Sequence, residues 1–383
     1  MRLIPSDPLR RARLAIGVVF LVNGGVFGTW APHIPLVQER LGLGPALLGT
    51  ALLAAAVGAL VAMLSAGPLI ARFGSAPVTR LSGLLLCLTL PLAALAPNLV
   101  ALVAALACLG AANGVMDVAM NAHGVAVETG LQRPIMSSLH GMFSLGGLLG
   151  AGAGAGLLGV LPPAAHVLLA TVVLIGTALL AMRHLLPGRA DVGDAGPHFV
   201  LPTSAALGLG ALAFLVLMSE GAVLDWSAAW LRGELGASPS VAATAFAAFS
   251  AAMAAGRFGG DWLRRHCGAI TVLRASAVVA ALGLAFALLI ATPLAAVIGF
   301  AGAGLGLSNT VPILFGAAGR LPGQQPGAAI AATASVGYLG FLVGPPMIGL
   351  LAQLTTLGTA LGLLVVACTL VGSFARMVRA ADR

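Results

Sequence analysis

At 383 residues, 60% hydrophobic and only 8% charged, with a mean hydropathy of +1.06, the chain lacks the charged coat that a soluble protein of this size needs. Its net charge of +8 comes entirely from arginine, with no basic cluster interleaved with aromatics, which argues against a nucleic-acid partner. Cys87, Cys108, Cys267 and Cys368 form no C-x-x-C pair and have no histidine at metal spacing, so no metal or other cofactor is expected.

The basic N-terminus (Arg2, Arg10, Arg11, Arg13) leads into a long apolar run with no A-x-A cleavage site and soluble domain behind it. This predicts a first membrane helix rather than a removable signal. A bilayer span needs about 20 apolar residues. Cutting at charges, prolines and glycine clusters predicts twelve, at 13–33, 46–70, 78–96, 99–122, 136–160, 164–186, 206–231, 240–262, 270–290, 293–317, 326–352 and 355–376. The longest polar gap, 187–200 (PGRADVGDAGPHFV), reads as a linker between an N-terminal six-helix bundle, 1–186, and a C-terminal one, 201–383. With both termini cytoplasmic, seventeen of the nineteen arginines fall on inside segments and only Arg40 and Arg232 outside, the bias that sets membrane orientation.

The halves repeat. Gly25, Trp30, Gly110, Asn113 and Gly141 reappear as Gly221, Trp226, Gly306, Asn309 and Gly337, each 196 residues on. A constant offset across three span pairs indicates a duplicated unit, and two parallel halves place a solute site between them near the midplane.

Three acids lie within or near apolar runs. Asp117 and Glu220 are internal, and Asp225 lies nearer the end of its run. An ionised carboxylate in hydrocarbon costs at least a few kcal/mol, so it persists where it lines a cavity, is paired or carries protons. In the fourth span Asn113, Asp117 and Asn121 recur every four residues on one helical face, which should point to protein or water rather than lipid. That stripe reads either as a hydrophilic wall with Asp117 as a proton or solute site, or as an interhelical hydrogen-bonded contact. Glu128, beside Arg133, reads as one partner of an interfacial ion pair. Glu220 is the favoured proton-coupling residue, against a static ion pair. Asp225, seven residues before Arg232, reads as a gate, a salt bridge or a proton site. His140 is a further proton candidate because its reference pKa suits exchange. His33 and His123 rank lower, and His166, His184, His198 and His266 read as interfacial or solvated. Trp30 and Trp226 either stack on a solute or anchor at the interface. Asn23, Asn309 and Tyr338 could hydrogen-bond a solute. Span 5 has a glycine run from Gly141 to Gly156, and span 11 carries Gly344-Pro345-Pro346. Both fit close helix packing and bending. No phosphate loop or hydrolase motif occurs, so neither ATP-driven transport nor catalysis is expected.

Twelve spans in a 6 + 6 division with a central linker resemble the major facilitator superfamily. Its loop signature, a Gly followed by Asp-Arg and further basic residues, is matched between spans 2 and 3 by Gly67-Pro-Leu-Ile-Ala71-Arg72-Phe-Gly74, with Ala71 at the usual Asp. Between spans 8 and 9 it is matched by Gly256-Arg257-Phe-Gly-Gly260-Asp261-Trp-Leu-Arg264-Arg265. The resemblance implies a charge relay at a cytoplasmic gate, with Arg72, Asp261, Arg264 and Arg265 as its members here. Asn113-Gly-Val-Met-Asp117-Val-Ala-Met-Asn121, Ser138-Leu-His140-Gly141-Met-Phe-Ser144 and Glu220-Gly221-Ala-Val-Leu-Asp225-Trp226-Ser227 are similar to an incompletely characterised bacterial inner-membrane group near the fucose-permease branch. The implied protein is a monomeric proton-linked carrier of a small organic solute in the inner membrane, working by alternating access. The alternative is proton-driven efflux of drugs or amphipathic metabolites. A passive channel or a non-transporting receptor are readings from other classes, and the receptor would need a sensory domain or sizeable soluble loop.

Overall fold

A computed structural model describes residues 8–133, 135–186, 203–322 and 326–382. The expected linker at 187–200 therefore lies outside the described residues. The first six helices are α1 (Pro8–Leu41), α2 (Pro45–Phe73), α3 (Ser75–Ala94), α4 (Leu99–Leu131), α5 (Met136–Leu157) and α6 (Pro163–Met182). Then come α7 (Ser204–Gly233), α8 (Pro239–Cys267), α9 (Ala269–Ile290), α10 (Pro293–Leu307), α11 (Thr310–Ala318), α12 (Pro326–Leu354) and α13 (Leu357–Ser373), with a 3-10 turn at Ala375–Asp382. Each of the twelve expected spans falls on these helices, α10 and α11 together forming the tenth. Among the described residues ten helices are long and apolar enough to cross a bilayer, or eleven if the bent α13 and 3-10 pair counts as one. Helix α5 stays outside that set because its glycines and His140 dilute the apolar run.

The chain forms two compact units. One comprises Met1–Gly42 with Ala51–Asp194, and the other Leu43–Thr50 with Ala195–Arg383. In the first, α1 packs chiefly on α5 and α3 on α4. In the second, α7 packs on α12 and α10 on both α8 and α9.

The α1–α5 seam is built from glycine. A Cβ at Gly24 would fall onto the Phe143 carbonyl, one at Gly28 onto that of Gly147, and one at Gly146 onto that of Leu21. Backbones this close leave no room for a side chain and gain dispersion contacts along the whole seam. Gly340 on α12 meets the Phe214 carbonyl of α7 in the same manner. The packing repeat does not keep the 196-residue register. Gly110 abuts the Ala55 carbonyl, and its counterpart in packing is Gly304 on the Phe249 carbonyl, both 194 residues on, while Gly306 meets Ser276 and Ala280 of α9.

Helix starts follow ordinary capping chemistry. Asn98, Thr203, Ser238, Thr292 and Thr356 each accept a hydrogen bond from the backbone N–H three residues on. Glu234, just past α7, adds to the α13 cap by accepting from the N–H groups of Leu357 and Gly358 and from the Trp230 indole. Glu234→Ala orphans those donors and is expected to destabilise the protein by roughly 1–2 kcal/mol. A fall in melting temperature that Glu234→Gln partly restores checks it.

Helix α10 stops at Ser308 and α11 starts at Thr310, so the tenth span is broken. Asn309 sits at the break, and its amide donates to the Gly256 carbonyl of α8 at 3.0 Å and to Ser308 Oγ at 3.0 Å. Its Oδ1 occupies the space a Cβ on Gly260 would need. Gly256 and Gly260 of the loop signature thus form the notch that seats Asn309.

Candidate functional site

Each unit carries its own polar cluster. In the first, α1 and α4 meet through Asn23, whose Nδ2 donates to Asn113 Oδ1 at 3.0 Å and lies 3.4 Å from Met116 Sδ. Asn23 is buried, and Asn113, Asp117 and Asn121 are half-buried along one face of α4. The Asn121 amide donates to the Asp117 carbonyl at 2.8 Å and to Asp117 Oδ1 at 3.2 Å. Among the described residues Asp117 has no ion pair. The stripe thus makes the interhelical contact at Asn23–Asn113, and one turn further it carries an acid whose described hydrogen-bond partner is a neutral amide. His140 on α5 is exposed and stands edge-on to Phe20, with ring centroids 5.3 Å apart.

In the second unit, Glu220 lies near the middle of α7, and its Oε2 is 3.8 Å from Arg257 Nη2 on α8. The two side chains are 14% and 12% exposed. Glu220 Oε1 is buried with no hydrogen-bond partner among the described residues. An arginine stays charged at any accessible pH, so burying it near a carboxylate yields a neutral pair out of two otherwise costly ions. Sequence reasoning placed Arg257 in the loop signature and missed it as the partner of Glu220. The available signal was its position inside the apolar run 240–262, where a lone cation needs an anion.

Several candidates sit differently from expectation. Asp225 is half-buried and has no hydrogen bond or ion pair among the described residues, while Arg232 donates to the Ala237 carbonyl at 3.1 Å. The Asp225–Arg232 bridge is thus not formed. Trp226 is fully buried and Trp30 only 3% exposed, so neither stands as an interfacial anchor or offers a ring face to a solute. Asn309 is committed to the helix break rather than to a solute. Tyr338 stacks on Phe341, with ring centroids 6.3 Å apart, and is half-buried. In the expected gate, Arg72 is exposed with its guanidinium 5.1 Å from the Phe73 ring centre, Arg264 is half-buried and Arg265 exposed, and the Asp261 side chain lies outside the described residues.

The histidines also needed correction. His33 and His166 are both 1% exposed and share a 2.9 Å hydrogen bond between Nε2 of the first and Nδ1 of the second, so His166 is buried rather than interfacial. His123 is a structural tie. The Leu186 N–H donates to its Nε2 at 3.2 Å, which leaves Nδ1 carrying the proton toward Ser75 Oγ at 2.8 Å. Glu128 accepts from the N–H groups of Ile135 (2.6 Å) and Met136 (3.0 Å) at the start of α5, a helix-start role in place of the expected pair with Arg133.

Long apolar helices in two units, with amide, carboxylate and guanidinium groups set well inside them, define an all-α polytopic membrane transporter. The chain belongs to the Major Facilitator Superfamily, whose sequence profile matches residues 16–345. It is 39% identical over 362 residues to an uncharacterized MFS-type transporter of Yersinia pestis, covering 94% of each chain. Among solved structures it is similar to the nucleoside transporter NupG, with TM-score 0.71 and 12% identity over 97% of this chain and 99% of that one. It is likewise similar to a D-xylose-proton symporter, with TM-score 0.71 and 15% identity over 95% and 97%. At those identities the two structures show the fold.

Proposed function

We propose that the protein is a proton-coupled secondary carrier of a small organic solute in a bacterial inner membrane, with Glu220 as the coupling residue. The observation that carries this reading is the Glu220–Arg257 pair: a carboxylate mid-helix, nearly buried, with one oxygen facing a cation and the other without a hydrogen bond among the described residues. Such a group exchanges its ionic partner for a proton, and that exchange changes the charge of the site by one unit. An alternating-access carrier uses such a change to link proton and solute movement. The D-xylose-proton symporter, similar in fold, supports the proton-coupled class.

Asp117, held among the described residues by the Asn121 amide, is the second proton site, and His140 in the same unit completes the set. Asn23, Asn113 and Asn121 supply amides to the solute path. The division at 187–200, both termini cytoplasmic, a monomeric unit and the placement near the fucose-permease branch belong to the same proposal. They rest on the arginine bias, the repeat and the three stretches quoted above. In proteoliposomes enclosing a pH dye, a solute from a panel chosen by thermal shift is expected to acidify the lumen as it enters under an inward proton gradient. Asp117→Asn is expected to lower that pH-driven uptake roughly tenfold. Solute entry at the same rate with and without the gradient contradicts the proposal.

A further inference from the structure

The chain leaves its last span as the 3-10 helix Ala375–Asp382, bent by 51° from α13. The 17 residues of α13 rise roughly 25 Å, close to the ~30 Å of a hydrocarbon core, so the 3-10 helix begins at the bilayer boundary. We propose that this segment lies along the membrane surface and holds the phosphate of an anionic phospholipid of the adjoining leaflet between Arg376 and Arg379. The inference stands apart from the proton reading of Glu220.

The segment sorts its side chains by the geometry of its own helix. In a 3-10 helix residues three apart eclipse one another, which gives three edges. Ala375, Val378 and Ala381 form the first edge and are buried, and the segment packs on α9 and α11. Phe374, at the end of α13, opens the second edge, which runs on through Met377 to Ala380. Phe374 is 54% exposed and Met377 38%. The third edge carries Arg376 and Arg379, both exposed. An apolar edge beside a cationic one suits neither water alone nor hydrocarbon alone. It suits the headgroup layer, where one edge enters the acyl boundary and the other meets phosphate. The protein holds the segment in that position: Arg320, just past α11, donates from Nη1 to the Ala381 carbonyl at 2.6 Å. The start of α9 lies against the end of α13, with the Arg274 carbonyl 3.8 Å from the place of a Cβ on Gly372, and Arg274 is exposed there as well.

Charge and reach choose the lipid. At about 2.0 Å rise per residue the Cα atoms of Arg376 and Arg379 stand about 6 Å apart, a spacing at which one phosphate can accept from both guanidinium forks. Asp382 is next on that edge. Its side chain and that of Arg383 lie outside the described residues, and as charges of opposite sign they leave the sum at the two positive charges of Arg376 and Arg379. A zwitterionic headgroup brings its own ammonium beside the phosphate and gains less at such an edge. Dissolved phosphate reaches the same two arginines but leaves Phe374 and Met377 in water. A lipid with net negative charge satisfies both exposed edges at once.

The test uses the purified full-length protein in a nonionic detergent with added dioleoyl-phosphatidylglycerol, dioleoyl-phosphatidylcholine or inorganic phosphate. Phosphatidylglycerol is expected to raise the melting temperature by a few degrees and to saturate. Salt at about 1 M should weaken the effect. Phosphatidylcholine and inorganic phosphate at the same concentration should do much less. An arginine near an anionic surface is worth about fivefold in binding, so R376Q/R379Q should raise the half-saturating lipid fraction roughly 25-fold. R10Q/R11Q, which removes two exposed arginines at the start of α1, should leave it unchanged. F374S/M377S should weaken phosphatidylglycerol binding and keep its lead over phosphatidylcholine. If R376Q/R379Q melts too low to follow, native mass spectrometry gives the second readout: a phosphatidylglycerol retained by the wild type and lost from the variant. Equal stabilisation by phosphatidylcholine or by inorganic phosphate, the same loss in R10Q/R11Q, or undiminished phosphatidylglycerol binding in R376Q/R379Q overturns the proposal.

Discussion

Arg257→Gln is expected to destabilise the protein by roughly 3–5 kcal/mol, the usual penalty for leaving one half of a buried ion pair without the other. Glu220 would remain mid-helix with one oxygen already lacking a hydrogen bond and the other now without its cation. Two of its options are to take a proton or to admit water, and both sacrifice part of the native packing of α7 on α8. Glu220→Gln removes the charge that requires the cation to be balanced in the resting state, yet leaves Arg257 buried, so it should also destabilise the chain, by a similar or smaller amount. The double variant E220Q/R257Q replaces two ions by two amides of similar size and is expected to recover most of the loss. Melting curves of the four proteins close a double-mutant cycle. A coupling energy near zero would mean that the 3.8 Å contact contributes nothing and that the two groups are solvated independently.

The second large effect concerns the α1–α5 seam. Gly24→Leu is expected to cost roughly 3 kcal/mol, at the upper end for overpacking, because the clash is with the Phe143 carbonyl rather than with a flexible side-chain tip. The Gly147 N–H lies 3.1 Å from the same point, so the whole α5 backbone would have to retreat. The opposite holds two turns on. Gly152 and Gly156 in the same helix have nothing within 4 Å, so alanine there should be neutral or stabilising by up to about 1 kcal/mol through helix propensity. Melting temperature and the monodisperse fraction after purification separate the two outcomes. Equal tolerance at Gly24 and Gly152 would show that the run in span 5 is a compositional habit and not a packing device.

Helix existence was legible because hydropathy over 20 residues depends on length and composition alone, and both survive folding. Helix ends were less so. Helix α4 runs to Leu131 beyond the expected 122, and α1 runs through Pro32 and Pro35 to Leu41, since hydrogen-bond geometry can continue where hydrophobicity has stopped. The break in the tenth span was hidden. Ser308-Asn309 is no stronger a breaker than the polar pairs that other spans accommodate, and what stops α10 there is a partner elsewhere, the Gly256–Gly260 notch. The candidate site was readable as a set of costly side chains but not as pairs. Spacing placed Asn113, Asp117 and Asn121 on one face, and that face is present. It could not show that Asn23 would reach Asn113 from α1, that Arg257 would meet Glu220, or that His33 and His166 would find each other, because contacts between helices depend on relative rotation and tilt. Trp30 and Trp226 illustrate the same limit: the frequent role of membrane tryptophan is at the interface, and burial of both is decided by tertiary packing. The repeat showed a related gap. Asn113 and Asn309 are equivalent by sequence offset, yet one joins α1 to α4 while the other stitches a helix break to α8.

The central claim is that Glu220 carries the proton that drives the solute, and it is tested most directly by separating net uptake from exchange in proteoliposomes holding Glu220→Gln. Net uptake against a solute gradient, driven by an imposed pH difference, should fall at least about a hundredfold, the usual scale for losing a proton-transferring side chain. Solute-for-solute exchange, which needs no net proton movement, should persist within a few-fold of the wild type. PH-driven accumulation at the wild-type level in that variant would contradict the account.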